Sequence, residues 1–435
     1  MAEKEMVCAA AEIMAQVPVM ASVTEPAPKA NKVANAATSN TSLNRQAWLR
    51  KRNCACFIYI PEAAMKNLTH ILSISIVLIS AVLAHAQTDI RIHQSTGYQS
   101  NVFYNNYQLP DMTNQFGISL SHTTNHNNTE SQFYYDGDVN LFRTYTARQY
   151  FYHQLGYDGA VSTTSDIYFG AGASWIDGKD TYALYDYRAF NIYLSGKKYL
   201  RSNVIGRLGV RLDRRAYTEL YEFNYWQNTL FSQLNTYFQT GTSMTLVLSY
   251  QWKLYSPYEI NGYLYDAMLS VDQAVLRIGL AQSLGMQTAI KFRYQLRQRV
   301  GLFAGDPTAI ADTYLITEDE LFDDPFGYNS NEVAMSLTNA LLFNFKLQTT
   351  TGYLGRDYHN RRVYDPAGMT YDDSARHSDN RIFAWTTLSR NFGWGKQHKS
   401  IQVWLTVGYL NNNSNDGYYD YENMFARMGF DVKIY

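Results

Sequence analysis

Cysteine is almost absent: the 435 residues include three, Cys8, Cys54 and Cys56, all before residue 65. No disulfide framework can therefore hold the bulk of the chain together. Cys54 and Cys56 are too few and too close for a zinc site. Charge is also scarce, at 17% Asp, Glu, Lys and Arg with a formal net charge of -1. That balance carries no electrostatic footprint for nucleic acid. Mean hydropathy is -0.33, too polar for a bundle of membrane helices, each of which needs about 20 consecutive apolar residues. Beyond residue 86 there is no Gly-x-Ser-x-Gly, no phosphate loop and no metal-ligand spacing. No cofactor, metal or enzyme activity is expected. The histidines His122, His126, His153, His359 and His377 are scattered, with no spacing that argues a catalytic set.

What the chain has instead is aromatic residues, 15% of the total, with 37 Tyr and 21 Phe. They fall in a pattern clearest between Thr242 and Ser256. Met244, Leu246, Leu248, Tyr250, Trp252 and Leu254 share one parity; Thr245, Ser249, Gln251 and Lys253 share the other, with Val247 as the one intruder. Successive side chains of a strand point to opposite faces, so the segment has an apolar face and a polar face. A membrane barrel spends only every second residue on lipid, which reconciles an apolar row with a polar average. A soluble all-β protein rich in Tyr is the competing reading.

Residues 1–64 are rich in Ala, Val and small polar residues and show no sustained period. Met65-Lys66-Asn67 then leads into an apolar run from Ile71 to Leu83, followed by Ala84-His85-Ala86 and Gln87. A basic start, a short apolar core and an A-x-A site make a secretory signal peptide. The expected organisation is a non-native or disordered extension at 1–64, a signal peptide at 65–86 and a transmembrane barrel at 87–435. Met65 is the expected start, and a long cytoplasmic leader or uncleaved anchor is the alternative.

From Gln87 onward the period-two design recurs in sixteen segments, with fourteen as the alternative count. Examples are Phe116 to Leu120, Ile167 to Trp175, Leu208 to Leu212, Ile290 to Leu296 and Ile401 to Tyr409. Residues 359–378 read as a polar loop, residues 391–395 as a connector and residues 305–331 as a long acidic loop. The fold class is all-β: one closed antiparallel transmembrane barrel with short periplasmic turns and long external loops. Signal peptide, aromatic-rich alternation and a C-terminal strand together resemble bacterial outer-membrane β-barrel proteins of the porin-like type. The stretch Gly97-Tyr98-Gln99-Ser100-Asn101-Val102-Phe103 is similar to the first strand of several large periplasm-facing barrels. The C-terminal apolar row is Met424, Ala426, Met428, Phe430, Val432 and Ile434, which leaves Tyr435 one place out of the usual register.

The resemblance implies an integral protein of the bacterial outer membrane, with lipid and small polar solutes as partners and no nucleic acid. A channel for small polar solutes, anions among them, comes first. An export or assembly barrel with a periplasmic partner, or a structural or adhesive surface barrel, is the alternative. The candidate site is a basic stripe on the inferred lumen parity: Arg207, Arg211, Arg215, Lys253, Arg277, Lys291, Arg293, Arg297 and Arg299. Arg or Lys on the lipid face costs about 2–4 kcal/mol at midplane, which favours the inward assignment. Such a stripe attracts anions, or it pairs with Asp213, Asp272 and the loop acids Glu318, Asp319, Glu320, Asp323 and Asp324. An inward fold of that acidic loop would make a constriction. Tyr250, Trp252, Trp175, Tyr409 and Trp404 read as interfacial girdles; Trp404 and Tyr193 also have the parity for a sugar-binding slide.

Overall fold

Two solvents sort the side chains along the barrel wall. The computed structural model describes residues 87–434, apart from 163–164, 257, 261–262, 266–269, 302–324, 366–369 and 395–398. The extension at 1–64, the signal peptide at 65–86, Tyr435 and the acids from Glu318 to Asp324 lie outside the described residues.

The strands are β1 (Gln87–Gln99), β2 (Asp111–His126), β3 (Thr129–Phe142), β4 (Tyr150–Ser162), β5 (Asp166–Gly178) and β6 (Tyr187–Arg201). Then come β7 (Val204–Tyr217), β8 (Tyr225–Tyr237), β9 (Thr242–Tyr255) and the short hairpin β10 (Tyr258–Ile260) and β11 (Tyr263–Tyr265). The rest are β12 (Ser270–Ser283), β13 (Thr288–Arg299), β14 (Tyr328–Ala340), β15 (Phe345–Asp365), β16 (Thr370–Trp394), β17 (Lys399–Ser414) and β18 (Tyr421–Ile434). All but β10 and β11 form one closed antiparallel barrel of sixteen strands. It shuts where β1 meets β18, with Ile92 opposite Val432. Closure pairs the backbone without leaving an edge, which a lipid-immersed sheet requires.

Register carries one parity around the ring. Leu248 lies opposite Leu276 and Ser232; Leu276 lies opposite Leu296. The same row includes Leu208, Val210, Leu230, Leu280, Val403, Leu405 and Met428, all large, apolar and exposed. This continuous outward belt makes the chain an integral outer-membrane barrel of porin-like architecture. Trp175, Tyr250, Trp252 and Tyr409 share its parity near the ends with longer loops, and the Tyr250 and Trp252 rings lie 5.6 Å apart. Val247 faces inward, between Gln233 and Arg277.

Connections at one end are short, such as 127–128 and 202–203, whereas those at the other include 100–110, 179–186 and 256–269. Asn127 and Gly241 turn short connections with φ of 51° and 75°. Inward glycines make room for rings laid flat on the wall: a Cβ on Gly352 would strike Phe383, and one on Gly408 would strike Phe425.

Two expectations are corrected. Residues 359–378 are mostly ribbon, because β15 and β16 continue past the barrel with Tyr364 opposite Tyr371 and Asp365 opposite Thr370. Water bathes both faces of such a ribbon, so its sequence lacks the lipid period. Ring and cation contacts hold it: Tyr364 to Tyr371 at 5.1 Å and Arg362 to Tyr371 at 4.5 Å. The connector expected at 391–395 is mostly strand, since β16 runs to Trp394 and pairs with β17 as far as Lys399.

Candidate functional site

The inner wall begins from the same parity rule. Arg207, Arg211 and Arg215 alternate along β7 with the outward Leu208, Val210 and Leu212. Lys253 stands near the end of the inward row of β9, Arg277 stands on β12, and Lys291, Arg293, Arg297 and Arg299 stand on β13. Register sets Arg277 beside Gln295 and Val247, and Arg297 beside Val275.

Their partners divide them. Arg211 forms an ion pair with Asp213 at 2.6 Å, and Arg293 pairs with Glu332 of β14. Arg215 lies 4.3 Å from the Tyr187 centroid, and Lys253 lies 3.9 Å from that of Tyr225. Both sit at the end of the barrel with the longer connections, where pairs of inward tyrosines face each other: Tyr187 with Tyr217, Tyr225 with Tyr255, and Tyr328 with Tyr358. Arg297 lies 5.8 Å from Tyr328, and the Arg299 amide donates to Asn329 Oδ1 at 2.8 Å. Arg207 donates from Nε and Nη2 to Ser195 Oγ, at 3.1 and 2.9 Å, and Arg277 donates from Nε to Gln295 Oε1 at 2.6 Å. Among the described residues, Arg207, Arg277, Lys291 and Arg297 have no carboxylate partner.

Of the acids weighed as partners, Asp213 acts as one. Asp272 has outward parity at the rim, where it accepts from the Tyr250 hydroxyl at 2.8 Å and the Gly301 amide at 3.0 Å. Glu332 was missed, because which cation it faces depends on the register between β13 and β14.

Sequence reading also missed the opposite wall. Asp136 and Asp138 of β3 and Asp158 of β4 face inward. Asp138 Oδ1 lies 2.6 Å from His93 Nε2 and accepts from Gln115 at 3.1 Å; Asp158 accepts from the Tyr193 hydroxyl at 2.7 Å. In the ring of sixteen, β3 and β13 stand eight places apart, so Asp136 and Asp138 lie diametrically across from the basic strand, with Asp158 on the next strand. Tyr193 is thus held by a carboxylate, and inward Trp404 likewise donates from Nε1 to Asp431 at 3.0 Å.

The described constriction arises from other loops than the acidic one. Asn101, Val102 and Phe103 of the β1–β2 loop are buried. Tyr104 packs against Ala334, Leu354, Phe383, Leu410 and Tyr421, inward residues of β14 to β18. The loops at 179–186 and 218–224 fold in the same way, setting Tyr182, Tyr185, Leu220 and Phe223 against inward Phe142, Tyr150, Tyr187 and Tyr217.

One buried set invites a catalytic reading. His377 is 1% exposed, with Asp379 Oδ1 at 2.7 Å and Ser414 Oγ at 3.1 Å. Both contacts meet the same ring nitrogen, Nε2, while Nδ1 has no partner. A relay from serine through histidine to aspartate needs opposite ring nitrogens. Asp379 also pairs with Arg356 at 3.1 Å, which makes this set a buried structural network. No cluster of three metal-ligating side chains occurs among the described residues.

No family model matches the chain, and neither does any curated protein. Solved structures match in architecture. OccK2 (OpdF) of Pseudomonas aeruginosa gives a TM-score of 0.45 at 11% identity, over 80% of this chain and 97% of that one. OccAB3 of Acinetobacter baumannii gives 0.42 at 8% identity, over 81% and 100%. A bacterial polysaccharide outer membrane secretin gives 0.43 at 9% identity, again over 81% and 100%. At these identities no site residue is carried over from them.

Proposed function

We propose that the barrel is an outer-membrane channel for small polar solutes and that its basic wall favours anions. The observation that carries this is the set of inward cations without a carboxylate among the described residues, Arg207, Arg277, Lys291 and Arg297. A charge with no ionic partner is stable on such a wall where water or a mobile counter-ion reaches it. Sixteen strands are wide enough for an aqueous lumen. The acids across the ring add a transverse field that orients a dipolar solute as it passes. The inward tyrosine pairs and the folded-in loops narrow the mouth above that field.

Planar-bilayer recording in a salt gradient tests the proposal. The purified barrel conducts and its reversal potential reports anion preference. Arg277→Gln, Lys291→Gln and Arg297→Gln combined lower the anion-to-cation permeability ratio several-fold. An insulating barrel sinks the channel reading and leaves the adhesive or structural one. Conduction with cation preference sinks only the anionic part.

The mature chain in this reading starts at Gln87, after export on the signal peptide at 65–86, with Met65 as the start of translation. Intact-mass measurement of the protein from membranes checks this, and a species beginning before Met65 contradicts it.

A further inference from the structure

The outward belt carries a polar patch on β1 and β2. Gln94 and Thr96 of β1 and Asn114 of β2 share the lipid-facing parity, between Ile92 and Tyr98 on one strand and Met112 and Phe116 on the other. Gln94 Nε2 donates to Thr96 Oγ1 at 2.9 Å, and Thr96 Oγ1 donates to Asn114 Oδ1 at 2.7 Å. Those bonds leave the Gln94 carbonyl, its second N–H and both N–H groups of Asn114 without a partner among the described residues.

Position makes this costly. Gln94 lies near the middle of the thirteen-residue β1, with Phe116 and Phe430 at its flanks. Thr96 neighbours Met428, and Asn114 neighbours Leu141. Tyr98 stands farther along β1 toward the long-loop end, so the patch lies inside the girdle rather than at the headgroups. Hydrocarbon offers neither donor nor acceptor to the remaining amide groups.

We infer that this face, centred on Gln94, Thr96 and Asn114, docks against a second copy of the chain within the membrane. An amide carries a donor and an acceptor together, so two copies of the patch complement each other, as a self-facing interface requires. The surrounding side chains suit a packed contact: Met424 and Met428 are 59% and 61% exposed, and their unbranched stems adapt to a facing surface. The inference rests on the outer surface alone and stands whether or not the lumen conducts.

Mass measurement of the full barrel in lipid nanodiscs tests it. The wild type gives a dimer or larger assembly. Gln94→Leu, Thr96→Val and Asn114→Leu together give a monomer, with association at least tenfold weaker. These replacements suit lipid, and heat-modifiable gel mobility verifies that the variant is folded. A wild type that stays monomeric at all concentrations overturns the inference, as does a folded variant that associates equally well.

Cross-linking in native membranes gives a second readout that needs no loss of the patch. With Cys8, Cys54 and Cys56 changed to Ser, a single Asn114→Cys forms a disulfide between copies under oxidation. Leu248→Cys does not, because β9 stands eight places from β1 in the ring. The reverse result, cross-linking from Leu248→Cys and none from Asn114→Cys, places the interface elsewhere and overturns the inference.

Discussion

The guanidinium of Arg148 lies 4.3 Å from the centroid of the Phe103 ring. The two residues belong to different loops, β3–β4 and β1–β2, and meet inside the mouth. The same guanidinium lies 4.7 Å from Phe142, and its Nη1 donates to the Val102 carbonyl at 3.2 Å. Arg148 therefore holds the inserted β1–β2 loop against the wall. A desolvated cation–π contact contributes about 2 kcal/mol. Arg148→Ala should free residues 100–110 while the barrel stays folded. Single-channel conductance should rise, and limited proteolysis should cut within that loop. Unchanged conductance together with an uncut loop would show that other contacts hold it.

Parity makes a sharp prediction about stability. Leu248 faces lipid and Gln251 faces inward, three residues along the same strand. Leu248→Lys should lower unfolding stability by about 2–4 kcal/mol, the cost of a cation near midplane. Gln251→Lys should cost about 1 kcal/mol, the loss of its hydrogen bond from Gln273 at 2.7 Å. Urea unfolding from lipid vesicles measures both. Equal costs would mean that the two faces do not see different solvents.

These contrasts show why so much of the fold was legible. Lipid outside and water inside impose period two wherever a strand crosses the membrane, so the sixteen strands could be read along the chain. The same logic fails where that contrast ends. The ribbon around Tyr364 and Tyr371 has water on both faces and looks like a loop. Glu332 needed register, and the opposition of Asp136 and Asp138 to β13 needed closure of the ring. The inserted loop did leave a trace: Val102, Phe103 and Tyr104 form an apolar triplet between two polar stretches. Such a triplet at a mouth can serve a lid as well as a strand.

Acid should tighten the mouth at Asp186. This residue stands between the inward turn at 180–185 and β6, and its Oδ1 accepts from the Gly178 amide at 2.5 Å. Burial raises its pKa above the ordinary 3.8, against the lowering effect of that hydrogen bond, and nearby Asp177 raises it further. A raised carboxylate pKa favours the protonated form in the folded state. The stability it contributes is full below the unfolded value and is lost as pH rises through the folded value. Asp186→Asn keeps an acceptor for Gly178 and removes the charge. It should stabilise the 179–186 loop at neutral pH and flatten its response to acid, as read by hydrogen exchange of the Gly178 amide. A variant whose exchange keeps the wild-type pH dependence would exclude Asp186 as the source.

Glu332 offers the cleanest test of the wall, because its removal should strengthen the field. In the wild type it neutralises Arg293, leaving Arg277, Lys291 and Arg297 as the cations on β12 and β13 without a carboxylate among the described residues. Glu332→Gln retains a side chain of the same size and an acceptor oxygen for Arg293, while it adds one net positive charge to the lumen. Anion preference should rise, and the rise should shrink as salt increases, because screening shortens the reach of the freed charge. Arg293→Gln should act oppositely by leaving Glu332 unpaired. The double variant Glu332→Gln with Arg293→Gln restores the net charge of the pair and should return the reversal potential close to wild type. Two single variants shifting selectivity in the same direction would mean that the wall acts through shape or loop position rather than through charge.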